Sequence, residues 1–195
     1  MIKIRYLLMI FLSIVFISLN AIGSSDNSYT FNSEDFNEFT SKYGDWQLTN
    51  DFNSINLQGK GIVLEELSKE VNENTIELSV RNFLKENVEL LKINENELRS
   101  LRVVNNDDEW NLKFEQEFNG LRVYNSKVII NVKNNNIVKI KSSFYKNINI
   151  NTKPEISQKE AKKIALGYLG KKAKVENIEL VIYPIYEKGN NFFRL

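Results

Sequence analysis

From residue 74 onward the apolar positions of this chain recur at spacings that assign one element after another. Val80, Phe83, Leu84, Val88 and Leu91 stand at helical spacing, and Asn74 with Glu77 has the capping-box offset, so a helix is expected over 75–91. Strand patterns follow at Leu101–Val104 and Trp110–Phe118. In the second, Trp110, Leu112, Phe114, Gln116 and Phe118 alternate with Asn111, Lys113, Glu115 and Glu117, which gives one mostly apolar face and one polar face. Asn119-Gly120 then marks a tight reversal, because a two-residue type I′ turn needs positive φ at both central positions. Two further alternating runs, Lys127–Val132 and Ile137–Tyr145, are joined across Asn134-Asn135-Asn136, residues that tolerate the left-handed conformation. The expected product is an antiparallel meander following a helix.

Beyond the polar stretch 147–153, Pro154 precedes Ser157-Gln158-Lys159-Glu160, a second capping box. Ala161, Ile164, Ala165, Tyr168 and Leu169 then share one helical face, with Gly170 placed as C-cap. Strands are expected over Ile178–Tyr183 and Asn191–Leu195 around a turn at Glu187-Lys188-Gly189-Asn190. Residues 24–70 are the least patterned. Phe31, Phe36, Phe39, Tyr43 and Trp46 are separated by Asn, Asp, Ser and Gly, which suggests a lead-in helix followed by loops. The 28 asparagines are dispersed among periodic apolar positions rather than gathered in a tract, so they read as compositional bias.

Composition narrows the functional classes. With 195 residues, 42% hydrophobic and 26% charged, the chain can build a sizeable core. Its 26 basic and 25 acidic residues give no net field pointing to nucleic acid. The sequence holds no His and no Cys, which removes imidazole and thiolate from any catalytic or metal site and excludes most hydrolytic constellations. No cofactor is expected. At the N-terminus, Lys3 and Arg5 precede the apolar run Tyr6–Leu19, and Ala21-Ile22-Gly23 supplies the small residues of a cleavage site. Residues 1–23 are therefore expected to be a signal peptide, because an apolar run of about 14 residues is short against the ~20 that cross a bilayer. The expected product is a secreted, extracellular protein. Loss of Lys3 and Arg5 leaves 24 basic against 25 acidic residues, which offers no polybasic membrane anchor.

The run Phe114-Glu115-Gln116-Glu117-Phe118-Asn119-Gly120-Leu121-Arg122-Val123-Tyr124-Asn125-Ser126 resembles the signature of the fungalysin/thermolysin propeptide (FTP) domain. Phe114, Gln116, Asn119, Gly120, Val123, Tyr124 and Ser126 match it. Asn125 stands where that family often has Gly, a departure that still permits positive φ. Pro154-Glu155-Ile156-Ser157 through Leu169-Gly170 is similar to the opening of a PepSY domain, and Asn191–Leu195 to the start of that domain's late strand. The resemblance implies an α+β fold: an antiparallel sheet packed on a helix, then an incomplete, cystatin-like PepSY helix-and-sheet module. The implied organisation is a lead-in segment at 24–70, an FTP-like domain at 71–148 and a truncated PepSY-like domain at 153–195.

Precursors of that family continue into a zinc peptidase carrying HExxH, which a chain without His cannot hold. The resemblance thus implies a non-enzyme: the intramolecular-chaperone and inhibitory region of a thermolysin-like metalloprotease precursor, with that protease domain as partner. A free-standing secreted protease inhibitor and a non-functional truncated precursor are the alternatives. The seven matching residues form either a protease contact or the core and turn support of the sheet. A buried Gln116 needs a hydrogen-bond partner, which the nearby hairpin backbone can supply. Asp107-Asp108-Glu109 and Lys171-Lys172 with Lys174 read as solvated surface, and Glu65-Glu66 lacks the partner glycosidase chemistry requires.

Overall fold

The computed structural model describes residues 24–25, 31–51, 54–68, 71–169, 174–175, 177–187 and 190–194. The expected signal peptide, Gly170, Lys171, Lys172, Lys188, Gly189 and Leu195 lie outside them. The elements are β1 (Ser24–Ser25), α1 (Ser33–Tyr43), β2 (Trp46–Asp51), β3 (Ser54–Val63), α2 (Glu73–Glu86), α3 (Val88–Leu91), β4 (Leu98–Asn106), β5 (Glu109–Phe118), β6 (Leu121–Arg122), β7 (Val128–Lys133), β8 (Asn136–Ser142), α4 (Gln158–Leu169), β9 (Tyr183–Glu187) and β10 (Asn190–Arg194). The fold is α+β. A seven-stranded antiparallel sheet runs β2-β3-β8-β7-β5-β4 with β6 paired to β5, and β1, β10 and β9 form a three-stranded sheet. No described helix is long and apolar enough to cross a membrane.

Period-two alternation is visible as rows across the large sheet. Leu48, Leu57, Ile140, Ile130, Leu112 and Val103 pair side by side through all six long strands, and Ile55, Ser142, Val128, Phe114 and Ser100 form the next row on that face. The apolar members of both rows share one core with Phe31 and Phe39, with Ile76, Val80, Phe83 and Leu84 of α2, and with Leu90 and Leu91 of α3, while Ser142 is buried among them and Ser100 at the β4 edge is exposed, so the first three helices cover this face. Burying each such side chain contributes about 1.5–3 kcal/mol, which makes this layer the main source of stability.

The stretch expected to be a lead-in helix followed by loops carries more structure than that. Its helix is α1, capped by Asn32, whose side chain accepts the amides of Glu34 and Asp35 at 2.9 Å. The expected loops are instead β2 and β3, and β3 pairs with β8 in the main sheet. Alternation was obscured because Gly59 and Trp46 are cross-strand partners: a Cβ on Gly59 would lie 2.5 Å from the indole, so the indole occupies a place that a side chain would otherwise mark.

Other boundaries also move. Helix α2 is capped by Asn72 and Thr75, two residues before the expected pair, with Asn72 accepting the amides of Asn74 and Thr75. The helix expected to reach 91 breaks at Asn87. Its amide side chain donates to the Phe83 carbonyl at 2.7 Å and accepts from Lys42 and Tyr43 of α1, so a tertiary contact replaces a helical turn. Strand β8 ends at Ser142 rather than 145, because the Ser142 hydroxyl takes the Phe144 amide and the Ser143 hydroxyl takes the Lys127 amide. The run expected as a strand from 178 becomes one only at Tyr183.

Candidate functional site

Strand β5 carries Phe114 and Gln116 to one end of the sheet, and the turn and loop that follow hold the other five matching residues. Phe114 is fully buried, and the Arg81 guanidinium of α2 lies over its ring at 5.1 Å while donating to the carbonyls of Glu95 and Leu98. Arg81 thereby ties the helix to the start of β4. Two residues on, Gln116 is also fully buried, with every polar atom of its amide engaged. Its Nε2 donates to the Glu97 carboxylate at 2.8 Å and to the Tyr145 carbonyl at 2.6 Å, and its Oε1 accepts the Tyr145 amide at 2.9 Å and the Ser126 hydroxyl at 3.2 Å. The hairpin backbone expected to satisfy this side chain does not do so. Apart from the Ser126 hydroxyl ten residues on, its partners come from 29 residues downstream and from the turn before β4, pairings invisible to local reasoning.

The reversal itself is as expected. Asn119 and Gly120 have φ of 51° and 78°, and Phe118 pairs with Leu121 across the turn. Asn125 is also left-handed, with φ 59°, so Asn fills the place that the resembled family gives to Gly. Val123 is buried, and its amide donates to the Gln116 carbonyl at 2.8 Å. Ser126, buried too, reaches back to the Gln116 side chain. Thus Gln116, Val123 and Ser126 form one hydrogen-bonded unit that closes the loop between β5 and β7.

Val123 and Tyr124 have a second role that spacing could not show. Val123 forms a parallel bridge with Ile182: the Tyr124 amide donates to the Ile182 carbonyl at 2.8 Å, and the Ile182 amide to the Arg122 carbonyl at 2.9 Å. Tyr124 stacks on Tyr183 with ring centroids 5.1 Å apart, and Arg122 forms a two-pronged ion pair with Glu179 at 3.0 and 2.7 Å. Val123, Tyr145, Ile148 and Ile182 make a small second core bordered by Phe118, Leu121 and Ile150. The Arg122-Val123-Tyr124 segment is therefore where the C-terminal part docks.

The electrostatics follow the same contacts. Hydrogen bonding to Arg122 lowers the Glu179 pKa and raises that of Arg122, and burial raises that of Tyr145. On β4, Arg99 pairs with Glu115 and, at 3.6 Å, with Glu117. Between these strands a groove of 480 Å³ is lined by Asn96, Glu97, Leu98, Arg99, Glu117, Phe118, Asn119 and Gly120. Of these, Asn119 and Gly120 are exposed motif residues, whereas Phe114, Gln116, Val123 and Ser126 are interior. No three described carboxylates gather to hold a metal ion, and Asp107 and Asp108 form the β4–β5 turn.

Helix α4 begins as expected, with the Ser157 hydroxyl accepting the Glu160 amide at 3.2 Å. Of its expected apolar face only Ala165 is buried, while Tyr168 is 83% exposed. No family model, no curated protein and no solved structure matches this chain.

Proposed function

We propose that this chain is a secreted, non-catalytic module of the thermolysin-propeptide type, which assists the folding of a metalloprotease domain and binds the folded product. The observation that carries the reading is the behaviour of the signature run. Its residues form the Gln116–Ser126 lock and the Arg122–Tyr124 docking strand, and so join the main sheet to the C-terminal helix-and-strand part. A folding assistant needs a surface already ordered before its client, because ordering during encounter would consume the binding energy meant for the client. The lock supplies such order without any catalytic group, and a chain with no His or Cys has little means of hydrolysis of its own.

The test is complementation in trans. An unfolded thermolysin-like protease domain is diluted from denaturant with and without the purified chain, and recovered peptidase activity is followed. The expected result is a higher yield with the chain, saturating with its concentration. An unchanged yield, together with no inhibition of the folded enzyme, would refute the reading.

A further inference from the structure

The face of the main sheet turned away from α1, α2 and α3 carries two complete rows. One runs Thr49, Asn56, Lys141, Ile129, Lys113, Arg102, and the other Gln47, Gln58, Lys139, Asn131, Asn111, Val104, each residue paired to the next across all six long strands. None of these twelve is buried. Five inter-strand spacings make the platform about 24 Å wide. Within the two rows the charge is one-sided, since Lys141, Lys113, Arg102 and Lys139 are cationic and neither row holds a carboxylate, although β5 carries Glu109, Glu115 and Glu117 on the same face beyond the rows. None of the four cations has an ion-pair partner among the described residues. The carboxylates of β5 on this face have other partners, Glu109 in Asn131 and Glu115 and Glu117 in Arg99. In a chain with 26 basic and 25 acidic residues, these two rows gather four cations that have no ion-pair partner among the described residues.

We infer that this sheet face is a docking surface for an acidic patch on a folded protein, and, resting on the reading above, that the protein is the client protease domain. Chemistry favours a folded protein over a polyanion. Neither row contains an aromatic ring on which bases or sugars could stack, which single-stranded nucleic acid sites use. Instead, the half-buried Ile129 sits between Lys141 and Lys113, with short amides around it. An apolar centre inside a polar, hydrogen-bonding rim is the anatomy of a protein–protein contact. The cations would speed encounter and fix orientation more than they would add raw affinity.

The experiment measures binding of a folded thermolysin-like protease domain of net negative charge to three forms of the chain by calorimetry at low and high salt. The forms are the unaltered chain, the reversal Arg102→Glu/Lys113→Glu/Lys141→Glu, and a control reversal of equal size on α4, Lys159→Glu/Lys162→Glu/Lys163→Glu. The expected result is binding at least about tenfold weaker for the sheet variant alone, with the difference shrinking as salt rises. The neutral triple variant, with Gln at the same three sheet positions, guards against a folding defect and should show an intermediate loss. Equal weakening by both reversals, or unchanged binding by the sheet variant, would overturn the inference while leaving the proposed function standing. Absence of binding by the unaltered chain would overturn both. A heparin column run in parallel decides the partner class: retention that depends on the sheet cations, with protease binding indifferent to them, would overturn the inference in favour of a polyanion.

Discussion

Replacing Gln116 by leucine should cost the protein about 3–5 kcal/mol. The side chain is fully buried and makes four hydrogen bonds: two to the backbone of Tyr145, one to the Ser126 hydroxyl and one to the Glu97 carboxylate. Leucine fills nearly the same volume, so the transfer term changes little, and the penalty comes from what is left behind. The Tyr145 N–H and C=O would each lose, inside the protein, the bond that Gln116 makes to it, at about 1–3 kcal/mol each. The Ser126 hydroxyl can rotate, and Glu97 is only partly buried and keeps its bond from Asn94, so neither adds the full amount. Gln116→Glu separates this account from a simple packing effect. An ionised carboxylate keeps the two acceptor contacts but faces the Glu97 carboxylate and the Tyr145 carbonyl, whereas a protonated one restores a donor. Burial and the like charge raise the folded-state pKa of the new group above its unfolded value. Its folded state is therefore favoured at low pH and penalised as pH rises above the unfolded pKa. Urea unfolding followed by the fluorescence of Trp46 and Trp110 measures both variants at pH 7 and pH 4.5. The expected pattern is a large loss for Gln116→Leu at both pH values and a loss for Gln116→Glu that narrows at the lower pH. A Gln116→Leu cost below about 1 kcal/mol, or a Gln116→Glu variant as stable as the parent at pH 7, would show that the amide is not the lock described.

Two glycines should fail for different reasons. At Gly59 an added methyl would meet the Trp46 ring at 2.5 Å, so Gly59→Ala should lose about 1–3 kcal/mol, and most of that loss should disappear in a Trp46→Leu background; equal losses in both backgrounds would exclude the clash. At Gly120 nothing lies within 4 Å, so Gly120→Val should lose about 1–2 kcal/mol through its φ of 78° alone, and Gly120→Asn should recover most of it in the same urea melts. The Arg122–Glu179 pair gives a pH signature: the Glu179 pKa is lower in the folded state, so its contribution is present above the unfolded pKa and fades as pH falls through the folded one. With Glu179 half exposed the effect is small, under about 1 kcal/mol. Glu179→Gln should flatten that part of the stability profile between pH 3 and 6, and a profile identical to the parent's would show that the pair contributes nothing.

What the chain disclosed about itself divides along the range of the interactions involved. The meander was legible because its causes are local. Alternation over Trp110–Phe118, Asn119-Gly120 and the Asn134-Asn135 turn act within a few residues, and all three stand where expected, with left-handed φ of 49° and 61° at the second turn. The break at Asn87 was not legible, since the helical period continues through it and only contacts with Lys42 and Tyr43, more than 40 residues away, decide it. Strands β2 and β3 were missed for a related reason: Gly59 leaves its inward place to the Trp46 indole, so the alternation lapses where the packing is tightest. At the candidate site the turn residues could be read, yet the partners of Gln116 and the bridge from Val123 to Ile182 could not, because each joins segments whose spacing carries no period. A buried amide therefore announces only that a partner exists. Here the partner is the backbone of Tyr145, whose side chain belongs to the second core. Through that one residue the order of the sheet and the docking of the C-terminal part become a single condition, so loss of Gln116 should loosen both together.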